Sequence, residues 1–178
     1  MLSLSENTLP VIYLRAGELH FSEQSARVYT VLGSCIAVTM FHRRLGIVAI
    51  CHGLLPECRG KGQCGGECPA PGKYVDCAIQ WMTKRFKQQG VLLREIEIKV
   101  FGGADTFSTG PAGRGGIRVG KRNAGMALRA LGKEGLNILS LDVGGAIGRK
   151  LFFNTHTGEV LIKRLQPHVV LAVTKGGE

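Results

Sequence analysis

The chain has 178 residues, 44% of them hydrophobic, enough to bury a core without disulfide staples. Lys and Arg exceed Asp and Glu by 23 − 13 = +10, which favours an acidic partner. Aromatic residues make up only 6% and the basic residues form no dense tract, so the charge does not amount to a base-stacking, nucleic-acid-binding surface.

The N-terminal MLSLSENTLP has neither a basic n-region nor an apolar h-region, and no apolar run is long enough to span a bilayer. The expectation is a cytoplasmic protein without membrane insertion, its six cysteines largely reduced. Residues 10–21 (PVIYLRAGELHF) read as one strand, followed by strands at 26–32, 35–41 and 45–52, each short, β-branched and bounded by turn residues. HRRLG, between the third and fourth, suits a hairpin. Residues 57–73 (ECRGKGQCGGECPAPGK) lack an apolar period and read as a Cys/Gly-rich loop. In 73–90, Tyr74, Cys77, Ala78, Trp81, Met82 and Phe86 recur at helical spacing, and Gly90 is a natural stop.

EIEIKVFGG (95–103) alternates polar and apolar residues as a strand does, and 102–120 is a second Gly-rich loop. Residues 120–135 predict a helix with Ala124, Ala127, Leu128 and Leu131 on one face. A strand follows at 137–145, and 149–165 reads as a hairpin turning at Thr155–Gly158. Four strands precede the first helix, which disfavours a doubly wound βαβ fold. The predicted architecture is an α/β sandwich, one domain over 1–165, with a mixed, largely antiparallel sheet and helices packed against it. Residues 166–178 form a loosely held tail.

The candidate chemistry lies in TVLGSC…CH. Cys35 follows a Gly33-Ser34 turn that exposes a thiol and leaves backbone N–H groups to hold an oxyanion. If strands 35–41 and 45–52 pair as a hairpin, Cys35 and His52 are neighbouring ends. An imidazole there raises the thiolate fraction, and the Thr30 hydroxyl is placed to orient it. The spacing alone leaves two readings open, since cysteine in an apolar strand is commonly a core residue. Cys51 and Cys77 lie in apolar patterns and are assigned to the core. His20, His42, His156 and His168 have no convincing partner and are assigned to the surface.

LGSCIAV, His52 in CHGLLP, FGGADTF, GKRN and DVGGAIGRKLFFNTHTGEVLIK together resemble the chemoreceptor glutamine deamidase family, CheD, over about residues 10–165. The resemblance implies an α/β sandwich similar to that of toxin glutamine deamidases. It also implies a Cys-His-Thr triad of Cys35, His52 and Thr30, acting on glutamines of chemoreceptor cytoplasmic domains without metal or organic cofactor. Glutamate methyl esters are a second substrate class. A non-catalytic adaptor role, binding a CheC-type phosphatase, is the rival reading that the family carries.

Two other signals stand apart. GGIRVGK (115–121) nearly spells a P-loop, but Arg122 replaces the hydroxyl residue that would bind Mg²⁺, so nucleotide binding is rejected and Asn123 is read as structural or as lining the site. The Gly-rich turns near Gly102 and Gly144 are read as tight turns that could wall the pocket. Cys58, Cys64 and Cys68 miss CxxC spacing. Zinc, with Cys51, Cys77 or water completing it, competes with a redox-sensitive disulfide and with a loop of unlinked thiols, and no metal is expected.

Overall fold

The computed structural model describes residues 9–58, 68–105 and 118–166. A four-stranded sheet has the order β1 (Val11–Tyr13), β3 (Arg27–Leu32), β8 (Arg149–Asn154), β9 (Val160–Arg164). A five-stranded sheet has the order β2 (Leu19–Ser22), β5 (Ile47–Gly53), β4 (Ile36–His42), β6 (Glu97–Gly102), β7 (Ile138–Val143). Among the strands of the described residues, only β1–β3 and β6–β7 pair in parallel. The fold is therefore α/β and largely antiparallel, as the sequence predicts, with two sheets where the sequence reading has one. None of the helices in the described residues is long and apolar enough to cross a membrane.

Two cores define three layers. One face of the five-stranded sheet packs on the helices α1 (Val75–Gln88) and α2 (Val119–Lys133), through Ile36, Val38, Met40, Ala49 and Cys51. The opposite face, through Ala37, Phe41, Val48 and Ile50, packs on Val28, Leu32, Leu151 and Phe153 of the four-stranded sheet. With both faces covered, β4 and β5 are buried at every position. This is why IAVTMF and IVAIC are near-continuous apolar runs rather than alternating ones. Gly53 lies under α1, where an added Cβ would come within 2.6 Å of Val75.

The strand predicted over 10–21 is a correction. It splits into β1 and β2, which join different sheets. Gly17, at φ 85°, makes the break with a backbone conformation other residues rarely adopt. On one side of it Leu14 N–H donates to Tyr29 O, and on the other Gly17 N–H donates to His52 O. Among the described residues of the predicted loop 57–73, a 3₁₀ turn, Pro71–Lys73, leads into α1. Its residues 59–67, like 106–117 of the second Gly-rich loop and the tail from 167, lie outside the described residues. Gly90, at φ 72°, follows α1 as predicted, and the hairpin β4–β5 turns through Gly46 at φ 65°.

His42 is not a surface residue. It is buried at the β4–β5 turn, where Leu45 N–H donates to its Nδ1 at 3.2 Å and Glu95 lies 3.4 Å from its Nε2. The hairpin backbone itself supplies the donor, a partner that spacing does not reveal. His20 is half-buried, with an Nε2 that is shut off from solvent and makes no hydrogen bond among the described residues. His156 is exposed beside Ser25, and His168 lies outside the described residues.

Candidate active site

The sheet geometry brings Thr30 and His52 together. Thr30, in β3, points from the four-stranded sheet into the space between the sheets and is fully buried. His52, in β5, shares a face with Val48 and Ile50, points into the same space and is 4% exposed. Thr30 Oγ1 lies 2.8 Å from His52 Nδ1 and 2.7 Å from the Leu14 carbonyl oxygen.

These two contacts fix the tautomer by proton counting. A hydroxyl has one proton, and a carbonyl can only accept. Thr30 therefore donates to Leu14 O and accepts from His52 Nδ1–H. A neutral His52 then carries its lone pair on Nε2, the form a general base needs. Nε2 is buried and makes no hydrogen bond among the described residues, to the Cys35 thiol or to any other group. Catalytic hydrogen bonds are often long before substrate binds and tighten in the complex. Burial pushes the His52 pKa below its ordinary value, against weaker opposing effects of the Leu14 backbone and the Glu18 charge.

Cys35 immediately precedes β4. Ala37, two residues on, pairs across the ladder with His52. Alternate residues share a face, so Cys35 and His52 are diagonal neighbours on the inter-sheet face. Cys35 is half-buried against the inter-sheet core. Burial pushes its thiol pKa up, so an electrostatically lowered thiol is not what the structure holds. Burial thus favours the neutral form of both groups.

The backbone around Cys35 is fixed on the carbonyl side. Gly33 O accepts from Ala104 N–H at 2.9 Å, Cys35 O from Gly103 N–H at 2.7 Å and Ser34 O from Asn123 Nδ2 at 2.9 Å. Among the described residues, the N–H groups of Ser34 and Cys35 donate to none of the turn and loop carbonyls around them. Gly102, at φ 111°, could not be replaced freely, since a Cβ there would lie 2.4 Å from Cys35 O. Gly120 opens α2 just where a Cβ would lie 2.4 Å from Gly103 O. The GGAD and GKRN stretches thus meet beneath Cys35. The turn of DVGGAIG joins them through Gly144 N–H to Gly102 O and Asp105 N–H to Gly145 O, both at 2.9 Å.

Two contributors, the Leu14 carbonyl and Arg149, are not evident from spacing, and a third, Asn123, is the residue read as structural or as lining the site. The Leu14 carbonyl, supplied by the segment after β1, sets the Thr30 proton. Asn123 is fully buried, and its Nδ2 also donates to Leu54 O at 3.1 Å, so it ties the residue before Cys35 to the segment after His52. Arg149, fully buried, reaches Asp142 Oδ1 at 3.0 Å and the Gly144 carbonyl, holding the second Gly-rich turn. A cation and an amide inside glycine-rich stretches were the available signal. Cys51 lies in the helix-facing core as expected, its thiol pKa pushed up to about 12 by burial. Cys77 is buried but is not simply core, since it meets Cys58 and Cys68, while Cys64 lies outside the described residues.

A layered α/β protein with an imidazole aligned by a buried hydroxyl, and a thiol on the same sheet face, belongs structurally among candidate thiol hydrolases. Comparison with known proteins makes this particular. Residues 54–164 match the family model for CheD chemotactic sensory transduction. Probable chemoreceptor glutamine deamidase CheD 2 of Geobacter sulfurreducens is 46% identical over 157 residues, 88% of this chain and 91% of its own length. Those named probable chemoreceptor glutamine deamidase CheD in Oleidesulfovibrio alaskensis and Maridesulfovibrio salexigens are 41% and 37% identical, covering 92% and 89% of this chain and 76% and 94% of their own lengths. The chain belongs to the CheD family. The family-model match begins after His52, but the Geobacter alignment leaves out only 178 − 157 = 21 residues and therefore spans Thr30, Cys35 and His52. Among solved structures, the Bacillus licheniformis hypothetical protein YfiH aligns over 71% of this chain and 49% of its own at 11% identity with a TM-score of 0.41, a likeness too slight to bear on function.

Proposed function

We propose that this protein hydrolyses specific glutamine side chains of chemoreceptor cytoplasmic domains to glutamate, with Cys35 as nucleophile, His52 as general base and acid, and Thr30 as the positioning residue. The observation that carries this is the Leu14–Thr30–His52 relay, which leaves a buried lone pair on Nε2 beside the Cys35 face. Relatives named for the same activity, aligned across these residues, support it.

His52 Nε2 takes the thiol proton as Cys35 Sγ bonds to the carboxamide carbon. Burial favours the neutral form of both partners, so attack is coupled to transfer of the thiol proton to Nε2. The N–H groups of the Gly33–Cys35 turn serve as donors for the oxyanion. His52 returns the proton to the leaving nitrogen, ammonia departs and a thioester remains. Water, deprotonated by the same Nε2, then releases the glutamate and restores the thiol. A glutamate methyl ester offers the same carbonyl with methanol as leaving group.

The exposed basic side of α2, with Arg118, Lys121, Arg122 and Arg129 around a recess beside Pro56 and Glu57, suits the acidic face of a receptor helix. Such a substrate places the protein in the cytoplasm. Binding to a CheC-type phosphatase rests on family membership alone. The deciding experiment is mass spectrometry of a receptor cytoplasmic fragment incubated with wild type and with Cys35→Ala. Gln-to-Glu conversion by wild type and none by the variant is expected. Equal conversion by both would remove Cys35 from the mechanism.

A further inference from the structure

Behind the segment that leaves β5, three thiols converge. The Sγ atoms of Cys58, Cys68 and Cys77 all lie within 4.8 Å of one another. They come from three stretches of backbone: the strand-to-loop segment after His52, the approach to the 3₁₀ turn Pro71–Lys73, and the first turn of α1. A disulfide joins two sulfurs at about 2.0 Å and leaves a third aside. A tetrahedral zinc with bonds of about 2.3 Å instead sets its sulfurs about 3.8 Å apart in a closed triangle. Three sulfurs within 4.8 Å of one another, none of them in a disulfide, leave room for such a triangle.

The site is also built around the thiols. Asp76 Oδ1 accepts Cys77 N–H at 2.7 Å and Cys58 N–H at 3.3 Å, so one carboxylate fixes the backbones of two of the three. Asp76 N–H donates to Pro56 O and Val75 N–H to Leu55 O, while Leu54 and Leu55 N–H both donate to Lys73 O. The segment Leu54–Cys58 is thereby held along Lys73–Cys77. Cys77, in the first turn of α1, sits where the helix dipole favours a thiolate.

We propose that Cys58, Cys68 and Cys77 bind a structural zinc ion as thiolates, with water or a further side-chain donor in the fourth position. Soft thiolate ligands in a tetrahedral arrangement select zinc over the hard cations. Each coordinating thiol gives up its proton to solvent on binding, so affinity falls on acidification. The ion joins the start of α1 to the segment whose Leu54 carbonyl, through Asn123, holds the Ser34 carbonyl. The metal would thus brace the chain on both sides of Cys35 and His52 without entering the chemistry.

The test is elemental analysis of the full chain, expressed in zinc-containing medium and purified under reducing conditions without chelator. About one equivalent of zinc per chain is expected, falling below about a tenth in Cys58→Ser and in Cys77→Ser. Cys58 is half-buried, so its variant keeps the test open if Cys77→Ser fails to fold. Cobalt substitution should give thiolate charge-transfer bands in wild type that are lost in Cys58→Ser and kept in Cys35→Ala. Metal-free, folded wild type, iron in place of zinc, zinc retained in Cys58→Ser, or a disulfide among these residues in the reduced preparation would each overturn the proposal. None of these readouts depends on deamidase activity.

Discussion

Thr30→Val removes one oxygen and leaves the side-chain shape nearly unchanged. It strands two buried polar groups, the Leu14 carbonyl and His52 Nδ1–H, now held at 2.7 and 2.8 Å from Oγ1. Each stranded group costs about 1–3 kcal/mol. With the Oγ1 acceptor gone, nothing favours the proton on Nδ1, and the tautomer that carries it on Nε2, which lacks the base, gains population. A bias of about 1.4–2.8 kcal/mol toward that tautomer reduces the competent form about 10–100-fold. The expected result is a kcat/KM for ammonia release from a receptor fragment lower by about that factor, with Thr30→Ser within a few-fold of wild type. Nitrogen NMR of His52 should report the shift of the proton to Nε2 in Thr30→Val alone. Unchanged kcat/KM in Thr30→Val would refute the relay, as would an equal loss in Thr30→Ser, since a shape requirement would then explain both.

Burial depresses the His52 pKa, so the acid limb of the kcat/KM profile should have its midpoint below about pH 6.5, the ordinary histidine value. The sign for stability follows: between the folded and unfolded pKa values the unfolded chain binds more protons, so the contribution present above about pH 6.5 is lost as pH falls through the folded value. A midpoint above pH 7, or stability that rises on acidification through this window, would contradict the buried neutral imidazole. Gly102→Ala forces a Cβ to within 2.4 Å of Cys35 O at φ 111°. It should cost about 1–3 kcal/mol, roughly 3–10 °C in Tm, and lower kcat by moving the Cys35 carbonyl. Gly132→Ala, in α2 with nothing within 4 Å, should instead raise Tm slightly, and thermal melts of the pair would expose any error in this contrast.

Local pattern was a good guide wherever a residue's role is decided by its neighbours in the chain. The helix periodicity around Ala78, Met82 and Phe86, the Gly90 stop and the β4–β5 hairpin all rest on short-range stereochemistry, and all appear at the predicted places within a few residues. The same hairpin made the approach of Cys35 to His52 legible, because antiparallel register is a local property. The stretch 10–21 was not legible as two strands. Its two apolar halves are separated only by the short RAGE at 15–18, and the competition of two sheets for those halves makes Gly17 a corner. His42 failed partly for a similar reason, since Glu95 reaches it through the pairing of β4 with β6, while its other partner, Leu45 N–H, comes from the geometry of the β4–β5 turn.

By itself, then, the sequence determined the class of fold and the nearness of Cys35 and His52 across one hairpin. The tertiary structure decided what lies between the sheets. Thr30 and His52 belong to different sheets, and Leu14 to the segment that crosses between them, so no spacing along the chain predicts that one hydroxyl proton sets the imidazole tautomer. The three-cysteine cluster has the same character. Cys58 and Cys68 frame a loop, Cys77 reads as core, and only the packing of that loop on the start of α1 brings their sulfurs within reach of a single ion. Periodicity records which face of an element is buried, whereas side-chain encounters between elements depend on how the layers are stacked.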